Sequence, residues 1–497
     1  MPAAKNLPWL AALAAIFALG AFLLFHNLDG RLLWGDEAET ALLARNINRF
    51  GLPRTDDGMN VISVQGPGVD SNARHIWTWA PWLPEYASAL GFRLLGYSTW
   101  SARFPFALVG FLAGAYLAFL TFRVYRELRV VCVAAFLFFT CELFLLHARQ
   151  CRYYAITVLA QIMLAHGVYL LLERERRGAW LISLALMVQF YCNFLIAGAN
   201  LPALALLPFL RRRSRPELLK STVAAGAVFA ALALPWLAYA RPWRHSQTGV
   251  AANLWPKLIF YAGGINLHVF PLVFLFLPLA AFLLKRERPD ENTSCWEQAC
   301  LLCAGTYLLV MSAMPGPFLR YVLPLAPLLT MILSAWLFRY VRNGIAIAAL
   351  TLFLVVYNGP SLRWPLTDYI RSITRPYHDR TEAVVDFFRR SALPGQTVLV
   401  MDPEFPLQFY LPLRIMDGRL RNAPPREAPD WIMSESASGV LDIAPLKPSA
   451  ELLKGYEAIR VSVPRSRRGG GIPEPRFYEF FTAGENYYLT VYKRKPA

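Results

Sequence analysis

Apolar positions along this chain fall into long unbroken runs, at 7–25, 101–122, 130–147, 154–172, 179–194, 196–210, 221–240, 259–284, 298–314, 319–338 and 344–359. Runs of about 20 such residues are long enough to cross a bilayer core as helices, so the pattern predicts eleven spans. A shorter apolar stretch, Leu83 to Leu95, reads as a re-entrant or interfacial helix. The polar segment from His26 to about Trp82 is too long for a plain connector. Within it Leu42, Leu43, Ile47 and Phe50 recur at helical spacing, predicting an amphipathic helix over Ala38–Phe50 that Gly51 stops and that lies on the membrane surface. The aromatic run Trp77 to Trp82 reads as an interfacial belt or a sugar-stacking surface. After Pro360 the pattern changes. Thr381–Arg390 predicts a helix and Thr397–Met401 and Tyr456–Val463 predict strands. Phe477–Phe481 and Tyr487–Tyr492 predict a hairpin around Gly484-Glu485-Asn486, and Pro464–Pro475 a loose loop. The expected architecture is a polytopic α-helical membrane domain, 1–360, followed by a small α/β domain, 361–497.

Composition sharpens this picture. Of 497 residues, 56% are hydrophobic and 17% charged, and the mean hydropathy is +0.36, which excludes an ordinary soluble protein. Lys5 precedes the first run, which reads as a retained anchor because further spans follow. A net charge of +17 invites a nucleic-acid reading, but the segment 361–497 carries 20 basic and 16 acidic residues and so only +4 of it. The rest sits in short loops around Arg123/Arg126/Arg129, Arg174/Arg176/Arg177, Arg211–Arg215, Lys285–Arg288 and Arg339/Arg342. Basic short loops mark the cytoplasmic side. Eleven spans put all of them there with the N-terminus, and leave the first loop and the C-terminal domain on the other side. The charge is a topology signal, and no nucleic-acid partner is expected. All seven cysteines precede residue 304, so the C-terminal domain has no disulfide framework. Cys295, Cys300 and Cys303 open an apolar span without a fourth ligand nearby, which argues against a zinc site. There is no inverted repeat of the kind many transporters carry.

Three clusters could carry chemistry. The first is Gly35-Asp36-Glu37, just beyond the first apolar run. Asp36 with Glu39 reads locally as a capping box, Asp36 at the N-cap and Glu39 three residues on. A carboxylate at a membrane face also suits a general base, and Glu37 its partner. The second is Ala148-Arg149-Gln150-Cys151-Arg152-Tyr153-Tyr154, and the third runs from Arg320-Tyr321 to Pro327. Arg149, Arg152 and Arg320 stand on the side that should be poor in basic residues. Guanidinium forks suit phosphate, and headgroup snorkelling is the bland alternative. Glu142 lies inside an apolar run, where an acid is expensive and should pair or face a wet cavity. Tyr153, Tyr154, Tyr321, Glu85 and Glu142 complete the substrate-cavity candidates. His75, His147, His245 and His268 lack ligand spacing, and dependence on a divalent metal stays open.

Taken in order, these clusters resemble the bacterial GT-C membrane glycosyltransferases, among them the protein-mannosyltransferase and aminoarabinose (lipid A) transferase relatives. Leu83–Gly96 followed by Tyr97-Ser98-Thr99-Trp100-Ser101-Ala102-Arg103-Phe104-Pro105 is similar to the family's segment before its second main span. The resemblance covers about residues 7–340. It implies a multi-pass protein of the bacterial cytoplasmic membrane with a periplasmic C-terminal domain. It also implies transfer of a sugar from a polyprenyl-phosphate donor to an acceptor hydroxyl of an envelope lipid, glycan or protein. The family's first-loop catalytic acid maps onto Asp36. The chain departs from many relatives at Ala80-Pro81-Trp82, where they carry Lys-Pro-Pro, and at Tyr153 and Tyr154, where they carry an acid. A second catalytic acid and a lysine contact to phosphate are therefore unmatched. A flippase for lipid-linked sugars or a non-catalytic envelope assembly protein are the rival readings.

Overall fold

The computed structural model describes residues 2–63, 69–210, 215–244, 253–269, 271–278, 290–341, 343–356, 365–400, 404–417, 428–437, 448, 450–465, 474–475, 478–482 and 484–496. In chain order the helices are α1 (Pro2–Phe25), α2 (Gly35–Phe50), α3 (Leu83–Leu95), α4 (Thr99–Tyr125), α5 (Leu128–Phe139), α6 (Glu142–Ala148), α7 (Tyr154–Leu172), α8 (Arg177–Cys192), α9 (Phe194–Leu210), α10 (Arg215–Ala240) and α11 (Leu254–His268). The helices Glu291–Ser312, Ala326–Trp336 and Gly344–Val356 follow. Two compact units emerge. One holds residues 1–26, 80–83 and 106–370, the other 27–79, 84–105 and 371–497.

In the first unit the described residues of the apolar runs are largely helical. Among the described residues five helices are long and apolar enough to cross a membrane, or seven if each of two bent pairs is one span; α8, α9 and Gly344–Val356 are shorter apolar helices. The expected single span over 130–147 is broken, α5 and α6 meeting at 61°. At the break the Thr140 amide and hydroxyl both donate to the Phe136 carbonyl (3.0 and 2.6 Å). Polar side chains inside the bundle find one another. Gln161, Gln189 and Asn200 join α7, α8 and α9 through amide bonds of 2.7–3.1 Å. The Cys303 thiol donates to Asn200 Oδ1 (3.1 Å), so this cysteine belongs to a buried polar network. Glu297 accepts both arms of Arg339 (2.8 and 2.9 Å), the Trp336 indole (3.1 Å) and the Tyr125 hydroxyl (3.1 Å).

The second unit is built on a five-stranded sheet of β1 (Thr397–Val400), β2 (Arg414–Asp417), β3 (Trp431–Met433), β4 (Tyr456–Pro464) and β5 (Asn486–Arg494), in the order β2-β1-β3-β5-β4. β1 is parallel to β2 and β3, while β5 runs antiparallel to β3 and β4. The hairpin expectation is corrected: β5 pairs with β4. Tyr478–Phe481 are not a strand, and Phe477 lies outside the described residues, as does most of the loop 464–475. Helix Arg380–Ser391 buries Val384, Val385 and Phe388 against Val398, Val400, Trp431, Val461 and Val491. The first loop belongs to this unit. Asn60 donates to the Leu413 carbonyl (3.0 Å) and accepts from the Ile415 amide (2.7 Å), extending the β2 edge. Trp77 is 1% exposed, so it is packed inside the protein rather than set in a membrane belt.

Asp379 caps helix Arg380–Ser391 by accepting from the Glu382 amide (2.8 Å). Burial pushes its carboxyl up to about 6, against the opposing pull of that amide and of Arg31. A raised acid binds its proton more tightly folded than unfolded, so stability falls as pH rises through about 4 to 6. Asp379→Asn keeps a capping oxygen and removes that slope. Melting curves between pH 4 and 8 should show the variant gaining about 2–3 kcal/mol over the parent at the alkaline end. An unchanged difference across the range would contradict the burial argument.

Candidate active site

The first loop begins the site. α2 starts at Gly35, one residue before Asp36, and its N-cap is Trp34, which makes no side-chain capping bond. The capping-box expectation is thereby corrected: Asp36 lies inside the first turn, half-buried, where a carboxylate complements the helix dipole. The helix starts earlier than the apolar periodicity suggested because Glu37, Ala38, Glu39 and Thr40 are themselves buried. It ends where expected, at Gly51 with φ 79°, a left-handed conformation that glycine adopts without strain.

Glu37 is completely buried, and its carboxylate is gripped by Arg103. Arg103 Nε donates to Oε1 (2.8 Å) and Nη2 to Oε2 (2.6 Å). The same guanidinium donates from Nη1 to the carbonyls of Leu28 (2.7 Å) and Arg31 (2.9 Å) and from Nη2 to Leu32 (3.1 Å). All five N–H groups of the fork are thus engaged, tying residues 28–32 and the first turn of α2 to the start of α4. Tyr410 holds the same segment: its hydroxyl accepts from the Leu33 amide (2.9 Å) and lies 2.6 Å from Thr99 Oγ1. Burial pushes that phenol up to about 12, so it stays protonated. Arg103 was not among the candidates read from sequence. Its signal was there, a lone arginine at the start of an otherwise apolar run, where a charge must have a partner. Glu85 sits in the first turn of α3, 3% exposed, in the same unit.

The remaining candidates fall in the first unit. Arg149 closes α6 and is 8% exposed. It donates to the His26 carbonyl (2.5 Å) and to the Tyr369 hydroxyl (3.2 Å), and Tyr369 in turn donates to Leu23 O (2.9 Å). It brackets the end of α1. Arg152 and Arg320 are half-exposed, Arg152 with its guanidinium 5.9 Å from the Tyr153 ring and Arg320 4.2 Å from the Phe318 ring. The segment Leu319–Leu325 packs against α6 and α7, which brings Arg320 and Tyr321 within electrostatic reach of the Tyr153 hydroxyl, as are Arg152 and Tyr154. Tyr153, Tyr154 and His147 stack edge to face, at 4.5 and 4.7 Å between ring centres. The Tyr307 hydroxyl fixes the turn by donating to Tyr321 O (2.7 Å). Glu142 does what an intramembrane acid should: it lies 3.2 Å from His268 Nδ1 and lines a small cavity of about 40 Å³ with Thr140 and Cys141. Among the described residues no group of three His, Cys, Asp or Glu is placed to hold a metal ion.

No family model and no curated protein matches the chain. Solved structures do. ArnT from Cupriavidus metallidurans bound to undecaprenyl phosphate is 15% identical with a TM-score of 0.56, over 81% of this chain and 85% of that one. The apo state of the same protein gives 14% and 0.55 over 83% and 86%. Identity this low speaks for the fold alone, and over some four fifths of its length the chain has the fold of ArnT.

Proposed function

We propose that this protein is an integral glycosyltransferase of the bacterial cytoplasmic membrane that moves a sugar from a polyprenyl-phosphate donor to an acceptor hydroxyl at the outer face. The observation that carries this reading is the shared fold with ArnT, one of whose structures is bound to undecaprenyl phosphate. Asp36 acts as general base, taking the acceptor proton as its oxygen attacks the anomeric carbon and the bond to phosphate breaks with inversion. Arg152 and Arg320 meet the growing negative charge on the departing polyprenyl phosphate. Arg149, with donors committed to His26 and Tyr369, holds the end of α1 beside them and supplies charge to the same phosphate. Glu37, gripped by Arg103, positions Asp36. Tyr153, Tyr154 and Tyr321 line the donor pocket. Joint action of Asp36 with the arginines on one donor rests on the sidedness that the basic loops imply. The acceptor, a lipid, glycan or protein of the envelope, is recognised with help from the C-terminal sheet.

Purified protein in liposomes, given radiolabelled polyprenyl-phosphate sugars and envelope acceptors, should form labelled product. Movement of donor across the bilayer without transfer would establish a flippase instead, and neither outcome would leave an assembly role. A second measurement addresses the arginines. Arg320→Glu should raise the apparent donor KM by about ten- to a hundredfold, the range for removing a charged hydrogen-bond partner. An unchanged donor KM would remove Arg320 from donor binding.

A further inference from the structure

Where α4, α7 and α8 end at the basic loops, their surface opens into a groove of about 720 Å³ that takes no part in the chemistry above. Arg123 and Arg177 stand on its rim, His166 lies between, and Phe119, Leu170, Trp180, Leu181 and Leu184 form its walls. Trp180 is 70% exposed and Leu184 52%, so the walls present a bare apolar face. The floor is rigid. A Cβ on Gly178 would meet Gly167 O at 2.5 Å, and one on Gly167 would meet Ile182 at 2.7 Å, so α7 and α8 pack backbone against backbone.

Polarity is graded along the groove. From Arg177 to Leu184 the α8 wall passes from charge to aromatic to aliphatic over about 10 Å, and α4 passes from charge at Arg123 to aromatic at Phe119. The rim is cationic in balance. Arg123 lies 3.7 Å from Glu175, too far for a hydrogen bond, and Arg177 pairs with the same carboxylate. Two guanidiniums therefore share one acid. Arg126, Arg174 and Arg176 outnumber Glu127 and Glu173 in the flanking loops. A basic rim above an apolar slot matches an anionic headgroup above its acyl chain. A free phosphate would leave the slot bare, and a zwitterionic lipid would set its ammonium against the arginines.

We infer that this groove is a binding site for an anionic glycerophospholipid of the surrounding membrane, its phosphate on Arg123 and Arg177 and its acyl chain along Trp180 and Leu184.

Trp180 supplies the probe. The protein is reconstituted with trace dibrominated phosphatidylglycerol or dibrominated phosphatidylcholine in otherwise identical bilayers, and tryptophan quenching is compared. Phosphatidylglycerol should quench in excess of phosphatidylcholine, and Trp180→Phe should abolish that excess. R123Q/R177Q should shift the excess to at least about tenfold higher lipid, since each basic residue near a surface contributes about 1 kcal/mol. Arg177→Gln alone, at a side chain 68% exposed, carries the test if the double variant does not insert. Equal quenching by the two lipids, or an excess that survives both substitutions, would show ordinary boundary lipid and overturn the assignment.

Discussion

Asp36→Asn protein loses sugar transfer, by at least about a hundredfold, the lower end of what a positioned general base contributes, while inserting and folding as the parent does. The change is nearly isosteric and sits in the first turn of α2, where Asp36 is not the N-cap, so helix initiation survives it. Loss of dipole complementarity costs about 0.3–1 kcal/mol at such a position, too little to unfold the loop. The defect should therefore appear in kcat more than in donor KM, because the missing proton acceptor acts in the transition state. Initial rates on equal amounts of folded protein, at saturating donor, measure it. A variant retaining more than a tenth of parental kcat would exclude Asp36 as the base and return it to a structural role at the helix start.

The helices were legible in the sequence because a bilayer leaves the chain few options: apolar runs long enough to cross must satisfy their backbone internally. What escaped was local. The break between α5 and α6 leaves no mark in the apolar pattern of the run 130–147. In the C-terminal domain β4 and β5 declared themselves by alternation, but their pairing is set by contacts across some thirty residues, which the nearer turn at Gly484 obscured. β2 and β3, at four and three residues, escaped, whereas β1, no longer than β2, showed as an unbroken Val-Leu-Val run. For the candidate site the charged residues were visible as exceptions to the apolar pattern and to the charge bias of the loops. Their pairings were not: Glu37 read as a catalytic partner and Arg103 as part of a motif, and only the fold shows one gripping the other.

Breaking that grip should have the largest effect on stability. Arg103→Ala would leave the Glu37 carboxyl, 0% exposed, without the Nε and Nη2 donors of the fork, and release the carbonyls of Leu28, Arg31 and Leu32 together. Removing one partner of a buried pair costs about 3–5 kcal/mol, enough to leave the second unit poorly populated at growth temperature. Arg103→Lys keeps the charge but not the planar fork, since an ammonium cannot span a carboxylate and three carbonyls at once. It should destabilise almost as much. The paired change Glu37→Met with Arg103→Met removes both charges and should recover a substantial part of the loss, because well-packed apolar pairs often equal buried ionic ones. Thermal unfolding of the parent, Glu37→Met, Arg103→Met and the double variant closes the cycle that gives the coupling energy. Transfer rates below the melting range then separate support from positioning. If the pair only holds the fold together, the double variant regains kcat along with stability. If it aims Asp36, kcat stays low with donor KM unchanged, since the segment Leu28–Leu32 that leads into α2 has lost its anchor. Arg103→Lys at parental stability and rate would refute both roles.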